Sequence, residues 1–160
     1  TVASLQKPLV AVVEGVAVGI GTTLLLHCDL VVASTKTQFR LPFANLGVSP
    51  EGGASALLPL AIGEKMAREV LLTGRFFSGQ EALAWGLVNS LAEPGQVAEK
   101  AQEYISLLLQ QPLPSLIATK DVMGRSRVDI SGVVTAELDV FAELLGTEET
   151  RSRIHSLLKK

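Results

Sequence analysis

The sequence predicts an α/β fold in which short buried strands alternate with helices and then give way to helices alone. Val-rich apolar runs at 9–13 and 29–33 have the length and continuity of strands covered on both faces. A glycine-marked turn and a compact apolar stretch between them supply a crossover. From Ala54 onward the apolar period changes from 2 to 3.6. With 160 residues, 48% of them hydrophobic, the chain can bury a core of its own.

The first strand, 9–13, is set off by Pro8 and Gly15. Gly15, Gly19 and Gly21 punctuate the turn that follows, and 22–27 reads as a compact helix carrying Leu24, Leu25 and Leu26. The second strand, 29–33, is followed by a third at 37–41, closed by Pro42. Residues 45–53, with three glycines and a proline, read as a loop. Two helices, 54–62 and 64–72, meet at Gly63, and the second ends at Gly74. Ser78 can cap a helix that runs to Trp85 and stops at Gly86, before a short strand at 87–91. After Pro94 the pattern is helical: 97–110, 115–123, 133–145 and 148–158, with a hinge at Gln111-Pro112-Leu113-Pro114 because proline disfavours helix in the residue before it. Strands with helical crossovers imply a parallel, doubly covered sheet, and the helical tail reads as a packing or oligomerisation element. The division expected is 1–94 for the strand-containing core and 95–160 for the helical region.

Charged residues make up 19% of the chain and the formal net charge is −2, so nothing favours nucleic acid or an anionic membrane. Apolar stretches are interrupted well before a membrane-spanning length of ~20 residues. The single cysteine, Cys28, excludes a disulfide framework and fits a reducing compartment. The chain opens at Thr1 on structured sequence, as a fragment or processed chain would. The Leu157-Leu158-Lys159-Lys160 end is not a Ser-Lys-Leu-type peroxisomal address, which favours a bacterial-type cytoplasmic setting.

Several chemistries fail on spacing. Gly19-Ile20-Gly21 lacks the third small residue of a dinucleotide fingerprint, since Leu24 stands there. No Gly-Lys-Ser/Thr step supports a P-loop, and no Gly-x-Ser-x-Gly elbow supports a hydrolase. His27-Cys28-Asp29 are neighbours whose side chains diverge on a helix, so no metal site is expected, and His27 and Cys28 read as helix-end packing. His155 reads as a solvated face residue.

Two features remain. The turn from Gly15 to Gly21 feeds a helix N-terminus whose free N–H groups could stabilise an oxyanion, such as a thioester carbonyl becoming an enolate; equally, it could be a tight strand-to-helix turn that binds nothing. In Ser49-Pro50-Glu51-Gly52-Gly53, the serine, proline and acid make a good helix start by themselves. Against that, two glycines after the acid weaken a helix and suit a loop that approaches a ligand. The apolar neighbours Phe43, Leu46 and Val48 would disfavour the charged carboxylate and make it a better base.

These residues also carry a resemblance. The stretch from Lys7-Pro8-Leu9-Val10-Ala11 through Glu14-Gly15 to Gly19-Ile20-Gly21, then Cys28-Asp29 to Ala33, Gln38-Phe39, Gly74-Arg75 to Ala82 and Gly86-Leu87-Val88-Asn89, and Lys120 after the proline hinge, are together similar to the enoyl-CoA hydratase/isomerase (crotonase) family. The resemblance covers essentially the whole chain, with the motifs in order. It implies the C-terminal part of a spiral of ββα turns followed by a helical trimerisation region. It also implies an acyl-CoA thioester substrate, a homotrimer or hexamer, and no cofactor, coenzyme A being part of the substrate. In such a site an enolate is held by two backbone N–H groups. One falls on Ile20, and the other comes from an earlier loop that this chain lacks along with the first strands, so the chain alone is not expected to form a complete active site. Gly19, Gly21, Phe43 and Leu46 would line the substrate.

Hydratases of the family use two glutamates, and the matching positions here are Thr23 and Phe43. The run from Arg40-Leu41-Pro42-Phe43 to Leu46-Gly47-Val48-Ser49-Pro50-Glu51-Gly52 instead resembles peroxisomal-type 3,2-enoyl-CoA isomerases, whose single catalytic base falls on Glu51. Thioester hydrolysis or decarboxylation would share Ile20 but relocate the acid or base, and no other acid lies between Gly15 and Gly21. An inactive acyl-CoA-binding or scaffold protein is the rival from another class.

Overall fold

The structure is a computed structural model that describes residues 2–125 and 129–159; Thr1 and Lys160, which bear on the expectations about the two ends, lie outside them. After a 3-10 turn, Val2–Ser4, the strands β1 (Val10–Val13) and β2 (Val16–Val18) are followed by α1 (Ile20–Thr23), which tightens into a second 3-10 turn, Leu24–His27. Next come β3 (Leu30–Ser34), β4 (Gln38–Arg40), α2 (Phe43–Leu46), α3 (Ala54–Ile62) and α4 (Glu64–Thr73). Then follow β5 (Phe76–Ser78), α5 (Gly79–Trp85) and β6 (Ser90–Ala92). Helices α6 (Val97–Leu109), α7 (Leu113–Arg125), α8 (Ile130–Leu145) and α9 (Glu148–Leu158) complete the described chain.

The strands form two sheets rather than the single parallel sheet expected. β1, β3 and β6 make an all-parallel sheet in that order; in the second, β2 pairs parallel with β4 and β4 pairs antiparallel with β5. The cause lies at Gly15, whose φ of 84° turns the chain sharply after β1. The first two rungs, β1–β2 before α1 and β3–β4 before α2, therefore place one strand in each sheet before the helix, which is the ββα spiral the resemblance implied. The extra strands β2 and β5 have three residues each, too few to show a period of two. Two other differences are local. Residues 22–27 are split between α1 and a 3-10 turn, and the stretch before the 47–53 loop folds into α2.

The core lies between the second sheet and α3, α4 and α5. Phe39 and Phe77 are fully buried and stack at 5.4 Å, with Trp85 tilted against Phe77 at 5.3 Å. Leu87 and Val88 are buried although they precede β6, because Gly86 (φ 88°) reverses the chain and their N–H groups return to the Ala82 carbonyl. α6 packs on the first sheet through Val97 and Ala101 against Val32. α7 is fastened by Lys120, whose ammonium donates to Asp29 Oδ2 at 2.5 Å and to the Lys7 carbonyl at 3.1 Å. Among the described residues, no helix is long and apolar enough to cross a membrane.

Ser78 caps α5 as the sequence leads one to expect. Its hydroxyl accepts the Glu81 N–H at 3.2 Å while Glu81 Oε2 accepts the Ser78 N–H at 2.8 Å, a reciprocal capping box. The bond from the Ser78 N–H holds the Glu81 carboxyl below its ordinary pKa, helped by Arg75. A carboxylate depressed in this way stabilises the fold above the unfolded pKa and loses that contribution as pH falls through the folded value. Ser78→Ala, which removes the hydroxyl and keeps the backbone N–H, should cost about 1 kcal/mol by urea denaturation at neutral pH.

Candidate active site

The site is built where the 47–53 loop passes the start of α1. Gly19, with φ 55° and ψ −120°, holds a conformation that only glycine adopts readily. Its N–H donates to the Arg40 carbonyl at 2.9 Å, and its own carbonyl accepts the N–H groups of Thr22 and Thr23 at 2.8 and 3.0 Å. Thr22, buried, adds a hydroxyl bond to the Ala17 carbonyl at 2.8 Å. The turn is thereby locked to β2 and β4. As at any helix start, its first N–H groups have no intrahelical acceptor, and those of Ile20 and Gly21 meet none elsewhere among the described residues. The Ile20 side chain is exposed.

Glu51 is not the first-turn acid of a helix. α3 begins only at Ala54, with Gly53 as its N-cap and no side chain of its own in the capping role. The helix-start reading of Ser49-Pro50-Glu51 is thus replaced by a loop that carries Glu51 toward α1. Gly52 and Gly53 both have positive φ, 68° and 80°, which the glycine pair permits. A Cβ on Gly52 would lie 3.3 Å from Thr23 Oγ1 and 3.9 Å from Ile20 Cδ1, so the backbone here runs directly past α1. Thr23, fully buried, places its hydroxyl 2.9 Å from Glu51 Oε1 and 3.3 Å from the Ile20 carbonyl. Its single proton is best used on the carboxylate, and the two contacts link the candidate base to the candidate oxyanion turn.

The loop has further anchors. His27 Nε2 lies 2.7 Å from the Gly52 carbonyl oxygen. Glu137 of α8, only 7% exposed, accepts the Gly53 N–H at 2.6 Å and the Ser55 N–H at 2.8 Å. A cleft of about 1440 Å³ opens beside Gly52, walled by Leu24, His27 and Leu57 from the core and by Ile117, Ile130 and Val134 from the helices.

Ile20, Gly19, Gly21 and Glu51 are therefore brought together, but Phe43 and Leu46 are not. Phe43 is buried in the core beneath α2, and Leu46 lines a separate cavity against α9. Neither residue takes part in the contacts through Thr23 and Gly52 that join Glu51 to the start of α1. His27, expected only to pack, bonds the loop; Cys28 is the packing residue, its thiol pushed up chiefly by burial. Glu137 went unnoticed, yet it stands on the apolar stripe Ile130, Val134, Glu137, Phe141 of α8, where an acid is out of place.

The two-sheet ββα spiral thus sets the glycine-anchored start of α1 beside the Glu51 carboxylate, joined to it through Thr23. The chain belongs to the enoyl-CoA hydratase/isomerase family, whose sequence model matches residues 1–160. It is 29% identical over 157 residues to the short-chain-enoyl-CoA hydratase of Clostridium acetobutylicum, covering 98% of this chain and 60% of that protein. Among solved structures it is similar to OdaA of Pseudomonas aeruginosa, with 36% identity and a TM-score of 0.95 over 99% of this chain and 65% of that one. An enoyl-CoA hydratase/isomerase from Pseudoalteromonas atlantica gives 31% identity and a TM-score of 0.92 over 99% of this chain and 64% of that one. The chain thus spans a little under two thirds of the length of these relatives.

Gly52→Ala should test the close approach. The added methyl must adopt an unfavourable φ and press on Thr23, and the expected outcome is a loss of roughly 1 kcal/mol or more, seen as a lowered Tm.

Proposed function

We propose that the protein containing this chain is a Δ3-Δ2-enoyl-CoA isomerase that moves a double bond in an acyl-CoA thioester, as fatty acid β-oxidation requires. The observation that carries this reading is the carboxylate inventory. Thr23 and Phe43 occupy the two positions where hydratases of the family resemblance carry glutamate, while Glu51 reaches the oxyanion turn from the following loop and is hydrogen-bonded there by Thr23.

In this mechanism the thioester carbonyl oxygen sits on the Ile20 N–H and on a second amide that the resemblance assigns to an earlier loop. Glu51 removes a proton from carbon 2, and the electron pair spreads through the existing double bond to give a dienolate with charge on oxygen and carbon 4. Protonated Glu51 returns the same proton to carbon 4, leaving the double bond between carbons 2 and 3. No water adds and no group leaves, so one acid/base is sufficient. The Thr23 hydroxyl keeps the carboxylate directed at the turn, and Gly19 and Gly21 leave the backbone open to the thioester. The apolar walls of the cleft support an acyl chain as occupant.

Coenzyme A enters only as part of the substrate, and no separate cofactor belongs to this reading. A homotrimer or hexamer in a bacterial-type cytoplasm completes it, supported by the exposed apolar residues Leu107, Leu138 and Val140 of the helical region. The relatives' hydratase names favour water addition instead, but in the family resemblance that reaction uses a pair of glutamates, and Thr23 and Phe43 stand at both of their positions.

The test is conversion of a 3-enoyl-CoA to its conjugated 2-enoyl isomer by the full-length protein, followed by absorbance. Glu51→Gln should lower kcat by roughly 10²- to 10⁴-fold while leaving the circular dichroism spectrum unchanged. Equal rates in the two proteins would overturn the assignment of Glu51. Tight CoA-thioester binding with no turnover would identify a binding protein, and hydration of a 2-enoyl-CoA in place of isomerisation would identify a hydratase.

A further inference from the structure

We propose that Glu137 and His27 are positioning residues that clamp the Gly52–Gly53 peptide between them and thereby fix where Glu51 stands. The inference rests on reading Glu51 as the base, and it concerns what holds that base in place.

The two side chains grip opposite ends of one peptide unit. His27 Nε2 lies 2.7 Å from the Gly52 carbonyl oxygen, and because a carbonyl can only accept, Nε2 carries the proton. On the other end, Glu137 Oε2 accepts the Gly53 N–H at 2.6 Å. Its second oxygen accepts both the N–H and the hydroxyl of Ser55, at 2.8 and 2.5 Å. The Ser49 hydroxyl donates to the Glu137 main-chain carbonyl at 3.3 Å. The loop is thus held by α8 both before and after Glu51. The bonds form a continuous chain from the imidazole N–H through the peptide to the carboxylate, and each polarises the next.

Such a clamp answers a specific mechanical problem. Gly52 and Gly53 are consecutive glycines at positive φ, and they immediately follow the residue that must be placed accurately. Their shared peptide plane could rotate at little cost if its polar ends were free, and Glu51 would move with it. Capping of α3 alone does not require this arrangement, since a serine or aspartate at position 53 could cap the helix locally. Instead a carboxylate is buried, and no cation pairs with it among the described residues. Its desolvation is offset by the three donors it collects from the loop.

The experiment uses the full-length protein with steady-state kinetics on a 3-enoyl-CoA and hydrogen exchange at the amides of residues 52–55. Glu137→Gln removes the charge but keeps the shape. It should lower kcat by about 10- to 100-fold, with KM changed by no more than about twofold and with faster exchange at Gly53. His27→Gln keeps an N–H donor near the Nε2 position and should retain most of kcat, whereas His27→Leu should lose it. Unchanged kcat and unchanged Gly53 exchange in Glu137→Gln, or equal losses in the two His27 variants, would overturn the clamp. If Glu137→Gln does not fold, the His27 pair decides. If the unmodified protein does not isomerise at all, the base assignment fails, and Gly53 exchange still decides the clamp: faster in the variants supports it, unchanged overturns it.

Discussion

A helix that starts with no capping side chain of its own must find acceptors for its first N–H groups elsewhere, and α3 is such a helix. Its N-cap is Gly53, and the acceptor is the buried carboxylate of Glu137, 84 residues away in sequence. Much else follows from that requirement. It brings α8 onto the core, where Ile130 and Phe141 add apolar contact on the same stripe. It also makes the helical region part of the site's framework. α9 contributes at the other end of the same loop: Thr150, buried, donates to the Gly47 carbonyl at 2.8 Å. The Gly47 φ of 80° and the proximity of Thr150 leave no room for a side chain there. The segment 47–53 is therefore a loop by backbone conformation, yet it is fastened at both ends by helices that follow it by about a hundred residues.

The opposite wall of the site is stiffened by a different device. Gly19 is bonded to β4 through its N–H and to α1 through its carbonyl, so the turn cannot relax without breaking both. A glycine conformation of this kind persists only where neighbours over-determine it, and here it opens a helix whose Ile20 N–H meets no acceptor among the described residues. Thr23 joins the two walls. It is the one fully buried hydroxyl that reaches both the Ile20 carbonyl and Glu51, so the relative position of turn and carboxylate rests on a short side chain with few rotamers.

What could be read from the sequence follows the range of the interactions concerned. Long helices such as α4 and α9 announce themselves through local period and caps, and Ser78 with Glu81 wrote its own capping box within four residues. Strands of three residues, β2 and β5, left no period, and their assignment to a second sheet depends on the turn at Gly15, which local patterning cannot orient. Glu51 and the glycine turn stood out from their own neighbours, but helix-start chemistry explained the glutamate equally well, and only the resemblance favoured a base at Glu51 and a donor at Ile20. The contacts that contradict the helix-start reading, from Thr23, His27 and Glu137, span 28, 25 and 84 residues and have no local signature. Only the oddity of an acid on the apolar stripe of α8 pointed toward one of them.

The same geometry bears on why a single carboxylate would suffice for the proposed reaction. On the proposed reading, the position of Thr23 is where a hydratase would carry one of its two glutamates. Thr23 is fully buried and its hydroxyl already touches Glu51 Oε1 at 2.9 Å. A carboxylate in that place would press like charge against like charge, and one of the two would have to stay protonated. Nor could Phe43 be exchanged for an acid cheaply, since it lies in the core beneath α2. With Glu51 in this loop, the two-acid arrangement is blocked by charge at one position and by packing at the other. On that reading the threonine turns the position of a potential rival base into a donor to Glu51, as a reaction that takes and returns one proton without water would require.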